Sequence, residues 1–230
     1  MNMEHERNNL EMGENVNFVT QDETLMLVDS GEEDWYCLHD VTLNGQILEY
    51  NGQGTSILDV GLAQAKQPLN TTSHYFEIEI VDPGENCFIA IGLTEKDYPK
   101  NRLPGWDKGS IAYHADDGKV FIGCGVGEKF GPKCYKGDTM GCGISFPVPL
   151  NQRTHNLSLE ESKRQHEVRN ERASQDVKIN GSDFVEVFFT KNGTMVGVRR
   201  VLLPFGGFLP SIGMLSFHEK VKVNLKPLTG

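Results

Sequence analysis

The dipeptide Asn192-Gly193 stands between two short apolar runs, FVEVFF (184–189) and TMVGV (194–198). Asn followed by Gly accepts the paired positive φ angles of a type I′ turn, whose twist matches two antiparallel strands. This predicts a hairpin and excludes a helix across that point. The same signal recurs at Asp117-Gly118, between SIAYH (110–114) and KVFI (119–122). A chain with two such turns is committed to antiparallel β-structure in at least those places.

The rest of the chain extends that commitment. In YFEIEIV (75–81), Phe76, Ile78 and Ile80 alternate with Glu77 and Glu79, the pattern of a half-buried strand. CFIAIGL (87–93) is apolar on both faces, as expected of a strand in the middle of a packed sandwich. GCGIS (141–145), LPSIGM (209–214) and VKVNL (221–225) continue the series, with Lys136-Gly137-Asp138 as the turn into GCGIS. The glycines of 123–131 are expected to supply a flexible loop, and those of GCGIS to allow close sheet packing. Many short strands, tight turns and no sustained helical period predict an all-β, two-sheet antiparallel sandwich.

Two segments depart from this pattern. Residues 147–183 hold few large apolar residues and six acids mixed with six bases. They read as a long flexible insertion, with Ser162 and Ser174 beside bases as candidate phosphorylation sites. Residues 1–34 carry ten acids and one base, so they supply −9 of the net −10. They read as an acidic, partly mobile lead. The remainder is near neutral and lacks the basic stripe that nucleic acid requires.

No run of about 18 apolar residues is present, which argues against a membrane span. The N-terminus has no basic region followed by an apolar stretch, so no signal peptide is expected. Five dispersed cysteines, an odd number, favour free thiols in a reducing compartment, the cytoplasm or the nucleus.

Several chemistries fail on the residues. Cys124, Cys134 and Cys142 lack the paired spacing of a structural zinc site. Gly123, Gly125 and Gly127 do not make a phosphate loop, since Glu128 and Phe130 stand where the third Gly of G-x-G-x-x-G would be and no helix follows. His114 before Asp116 and Asp117 has the residues of an oriented base, but no nucleophile with a local signature accompanies it. Asp116 and Asp117 supply too few oxygens for a lectin-type calcium site. No metal and no cofactor are therefore expected. A carbohydrate-binding module remains the alternative reading, with a hydrolase-type enzyme behind it.

The loop 94–109, TEKDYPKNRLPGWDKG, offers more. Tyr and Arg often dominate protein interfaces, and loops on a rigid sandwich are where binding is usually built. Tyr98, Lys100 and Arg102 are expected at a binding surface, with Leu103 and Trp106 folded back onto the sandwich end. On this reading Tyr98 and Arg102 can be substituted together with loss of binding and little change in melting temperature.

The ordered motifs HYFEIEI, IAIGLT, NRLPGWDKGSIAYHADDGKVF, KGDTMGCGI, VFFTKNGTMVG, LPSIGM and VKVNL resemble the SPRY domain family, over roughly 35–146 and 184–226. The NRLPGWDK block is especially similar to the Ran-binding group of that family. The resemblance implies a bent β-sandwich, residues 35–226 with the insertion at 147–183. It implies a non-catalytic module that binds a protein or short peptide through loops at one end, as a scaffold or a substrate-recognition part of a ubiquitin ligase. Its ligand surface carries over to Tyr50 and Asn51, to Tyr98, Lys100 and Arg102, and to Leu215 and Phe217.

Overall fold

The computed structural model describes residues 32–146 and 184–227. In chain order the strands are β1 (Trp35–His39), β2 (Val41–Asn44), β3 (Ile47–Tyr50), β4 (Gly61–Ala65), β5 (Tyr75–Pro83), β6 (Ala90–Thr94) and β7 (Ser110–His114). They continue with β8 (Lys119–Ile122), β9 (Glu128–Lys129), β10 (Thr139–Ser145), β11 (Phe184–Lys191), β12 (Thr194–Leu202), β13 (Leu209–Met214) and β14 (Glu219–Asn224). The other regular element among the described residues is a 3-10 turn at Glu32–Asp34. The acidic lead up to residue 31 and the segment 147–183, with Ser162 and Ser174, lie outside the described residues.

Two seven-stranded sheets face each other. The first has the order β1-β4-β13-β6-β7-β8-β9 and the second β12-β11-β10-β5-β14-β3-β2. All neighbouring strands run antiparallel. The all-β sandwich expected from the turns is therefore the observed fold.

The alternating strands bury the expected side chains. Phe76, Ile78 and Ile80 of β5 and Val185, Val187 and Phe189 of β11 enter one core with Ile91, Leu93, Ile111 and Tyr113 from the facing sheet. Asn192 and Gly193 both have positive φ, 50° and 74°, so the β11–β12 turn is of the predicted type. The Asp117-Gly118 connection differs. Only Gly118 has positive φ, at 71°, and its N–H donates to the His114 carbonyl at 3.1 Å. Ala115 has left the β7–β8 ladder to bond across to Ile89 and Cys134, and its burial in the core lengthens the turn.

Gly123–Gly131 also differs from expectation, because β9 forms inside it and pairs with β8. Gly131 is there for close approach: a Cβ would strike Val196 and the Tyr113 hydroxyl. In β10, as expected, Gly141 and Gly143 leave room for Tyr75 and Phe188, whose rings stack at 5.7 Å. All five cysteines are free, and Cys134 and Cys142 are small buried residues.

A candidate recognition surface

The loop between β6 and β7 lies down on the outer face of the first sheet. Its ends are tied where the Glu95 N–H donates to the Gly109 carbonyl at 2.8 Å. Leu103 packs into a second, smaller apolar cluster with Val60, Ala90, Ala112 and Leu215, and Trp106 covers its edge. The sheet permits this because its outward positions there are small: Gly213 lies directly under Leu103 and Pro104. A polar ladder completes the covered face. Gln64 Nε2 donates to Thr94 Oγ1 at 2.6 Å and to the Glu95 carbonyl at 2.8 Å, and Thr94 bonds Ser211 at 2.7 Å.

This covering decides the fate of the predicted residues. Tyr98 is only 4% exposed. Its hydroxyl donates to the Leu103 carbonyl at 2.7 Å and accepts the Asp107 N–H at 3.1 Å. It holds the loop's shape from inside and cannot reach a partner directly. The expectation that Tyr98 and Arg102 can be changed together at little cost to folding is corrected, because a buried, doubly bonded Tyr is structural. His114 is buried as well. Its Nε2 bonds the Pro104 carbonyl at 2.9 Å, and its ring stacks on Phe121 at 4.1 Å. Burial pushes its pKa down to about 4, so it is a neutral donor to the loop.

Arg102 stays partly exposed. Its guanidinium lies 5.0 Å from the Trp106 ring and grips Asp107 with two bonds of 3.2 Å. Together they wall an open groove of about 650 Å³ that continues to Lys108 and Cys124. Lys100 is exposed on the loop's other side, beside Cys37 and Tyr36, where Lys96 sits 5.2 Å over the Tyr36 ring.

The loop after β3 is built differently. Tyr50 is buried; its hydroxyl accepts the Gly54 N–H at 3.0 Å and donates to the Asp59 carbonyl. The Asp59 carboxylate then takes the Thr55 hydroxyl at 2.7 Å, the Thr55 N–H at 3.0 Å and the Ser56 N–H at 2.9 Å. These bonds, the Thr55 hydroxyl first, hold its pKa below the usual value. Asn51 is exposed and its N–H is anchored to the Asp40 carbonyl at 2.9 Å. At the tip of this stapled loop Ile57 and Leu58 are 61% and 63% exposed. Sequence reasoning missed them; the signal was a bulky aliphatic pair inside Thr-Ser-Ile-Leu-Asp, where a turn needs none.

The late loop, 215–218, joins this one. Gly54 lies against the Phe217 ring and the Leu215 carbonyl. Phe217 is 41% exposed, whereas Leu215 is buried in the same cluster as Leu103. The structure therefore brings Tyr50, Asn51, Leu215 and Phe217 together and links them to the long loop through Leu103. It leaves Lys100 apart. Tyr50, Tyr98 and Leu215 position loops, and Asn51, Ile57, Leu58, Phe217, Lys100 and Arg102 present side chains outward.

A family model for the SPRY domain matches residues 73–156. A crystal structure of a human SPRY domain superposes with a TM-score of 0.65 at 34% identity, covering 84% of this chain and 99% of that one. The chain belongs to the SPRY domain family. It is 49% identical to human SPRY domain-containing protein 3, an alignment covering 91% of this chain and 54% of that protein. It is 36% identical to the Ran-binding protein M homolog of Arabidopsis thaliana, over 72% of this chain and 28% of that one. The Drosophila melanogaster Ran-binding proteins 9/10 homolog is 38% identical, over 79% of this chain and 15% of its own length. The chain spans about half the length, or less, of these curated relatives.

Proposed function

We propose that this chain is a non-catalytic interaction module that captures a partner protein or short peptide on its loop surface. The observation that carries this reading is the loop after β3, braced by Tyr50 and Asp59 and holding Ile57 and Leu58 out in water beside the Phe217 loop. Exposed aliphatics on a rigid loop are poised to be buried by a partner, with little conformational entropy left to lose. The relatives called Ran-binding proteins support a protein as the ligand. His114, the base that an enzyme would need, is occupied beneath the long loop.

On this reading the chain works in the cytoplasm or nucleus as a scaffold or substrate-recognition part, a ubiquitin ligase being one setting, without nucleic acid, membrane or cofactor. The test is affinity capture with mass spectrometry, comparing wild type with Ile57→Asp/Leu58→Asp and with Arg102→Ala. The loop-tip variant should lose its specific captures while melting as wild type does. Captures unchanged in both variants would remove the surface from consideration. Retention on a glycan array would favour the carbohydrate-binding alternative instead.

A further inference from the structure

The late loop is held by a group that a surface loop does not ordinarily use. Glu219, the first residue of β14, is fully buried. One of its carboxyl oxygens, Oε2, accepts the N–H groups of Leu215 at 2.7 Å and Ser216 at 2.9 Å. The other, Oε1, is buried without a hydrogen bond. Gly84, at positive φ, runs so close to this loop that a Cβ there would strike the Phe217 carbonyl and the Glu219 side chain. Asn86 N–H donates to the Ser216 hydroxyl at 3.2 Å. The segment ends in His218, held at φ 67°, a conformation that few non-glycine residues adopt.

A carboxyl in this geometry suits its protonated form better than its ionised one. Neutral, it offers one oxygen to two N–H donors and leaves no charge out of water. Ionised, it holds negative charge out of water with backbone amides near it but no cation to balance it. The titratable groups facing it add no cation: Cys87 from the β5–β6 connection, Tyr50 from the end of β3 and Asp116 from the β7–β8 turn. Burial pushes the Glu219 pKa up to about 7, against the pull of the Ser216, Leu215 and Phe88 amides, and Asp116 raises it further.

We propose that Glu219 is a proton-coupled latch on the 215–218 loop: the loop is shut when the carboxyl is protonated and opens to water when it ionises. The direction follows from linkage. In the open loop Glu219 is solvated and an ordinary acid, so the shut form binds the proton more tightly and is favoured as pH falls. Leu215 and Phe217 move with the latch. Its bearing on partner capture therefore rests on the recognition reading above, whereas the latch itself does not.

The experiment reads the loop directly. Amide hydrogen exchange at Leu215 and Ser216, corrected for the intrinsic rate, is measured at pH 6 and pH 8 for wild type, Glu219→Gln and His218→Asn. Wild type should lose protection roughly tenfold between the two pH values, the factor expected when a shut-form pKa near 7 is set against an ordinary one. Glu219→Gln, which mimics the neutral acid, should keep its protection at both. His218→Asn should behave as wild type, which assigns the effect to the carboxyl and not to the neighbouring imidazole. Protection independent of pH in wild type, or the same pH dependence in Glu219→Gln, overturns the latch. Should Glu219→Gln fail to fold, the carboxyl carbon of wild-type Glu219 decides by its own titration: a midpoint below pH 5.5 overturns the proposal and one near 7 sustains it. Because no partner is used, a failed capture experiment leaves this result standing, and a failed latch leaves the capture surface standing.

Discussion

The two sheets have the same number of strands but treat their outer faces in opposite ways. In the first, β4, β6, β7 and β13 are buried on both faces, because the 95–109 loop lies across them. In the second, β5, β14 and the first half of β11 bury alternate residues, and of its described strands β10 alone is buried on both faces, beneath Tyr75 and Phe188. Its outer face carries opposite charges across strands, Glu79 beside Lys222 and Glu186 beside Arg200. A covered face requires small residues and a satisfied polar ladder, as at Gly213 and Gln64–Thr94–Ser211; an open one tolerates charge. The loops proposed for recognition gather against the covered face, where a second apolar cluster holds them in place.

That contrast can be broken by substitution. Leu103→Ala, which empties the cluster under the long loop, should cost about 3 kcal/mol in urea unfolding. A loss below about 1 kcal/mol would mean that the loop is only draped on the sheet.

His114 and Glu219 probe the same region by pH, with opposite signs. The His114 pKa falls to about 4 on folding, so its stabilisation is present above its ordinary value of 6.5 and is lost as pH falls toward 4. The Glu219 pKa rises to about 7, so its stabilisation is present below 4.5 and is lost as pH rises toward 7. In wild type the two contributions offset each other between pH 4 and 7. In Glu219→Gln, relative to wild type, an added loss of about 3 kcal/mol should accompany acidification across that window, and in His114→Gln a comparable relative gain. Parallel pH curves for all three proteins would show that neither group is buried as described.

Smaller effects sharpen the comparison. Tyr98→Phe strips a hydroxyl from the Leu103 carbonyl and the Asp107 N–H, and should cost about 1–2 kcal/mol. On the open face, Leu202→Ala should stay within about 0.5 kcal/mol, since that side chain is already half in water. A loss from Leu202→Ala equal to that from Leu103→Ala would show that the second sheet is covered in solution too.

The legibility of the chain followed the same division. FVEVFF, YFEIEIV and VKVNL could be read because one face of each meets water, so polar and apolar residues must alternate. CFIAIGL was legible as doubly buried, although nothing in it says which segment covers its second face. The strands β1 to β4 and the short β9 were not legible. GLAQA, the β4 sequence, is buried at every position, with Gly61, Ala63, Ala65, Leu62 and Gln64 all enclosed, which erases the alternation. At the candidate site, Asn51, Lys100 and Phe217 were expected outside and are exposed, and Arg102 is partly exposed. Tyr50, Tyr98 and Leu215 were expected with them and are buried, while Ile57 and Leu58 went unremarked.

By itself, then, the amino-acid sequence determined the strand alternation, the Asn192-Gly193 turn and hence an antiparallel sandwich, because these depend on residues within a few positions of one another. Only the tertiary structure decided which loop residues face a partner. Leu103 meets Leu215 and Gly213 more than a hundred positions away, and the Glu219 side chain lies against Gly84, 135 positions earlier. Loops have no repeat to obey, so whether Tyr98 points in or Ile57 points out is set by the shape of the surface beneath them, and that surface exists only once the two sheets have closed.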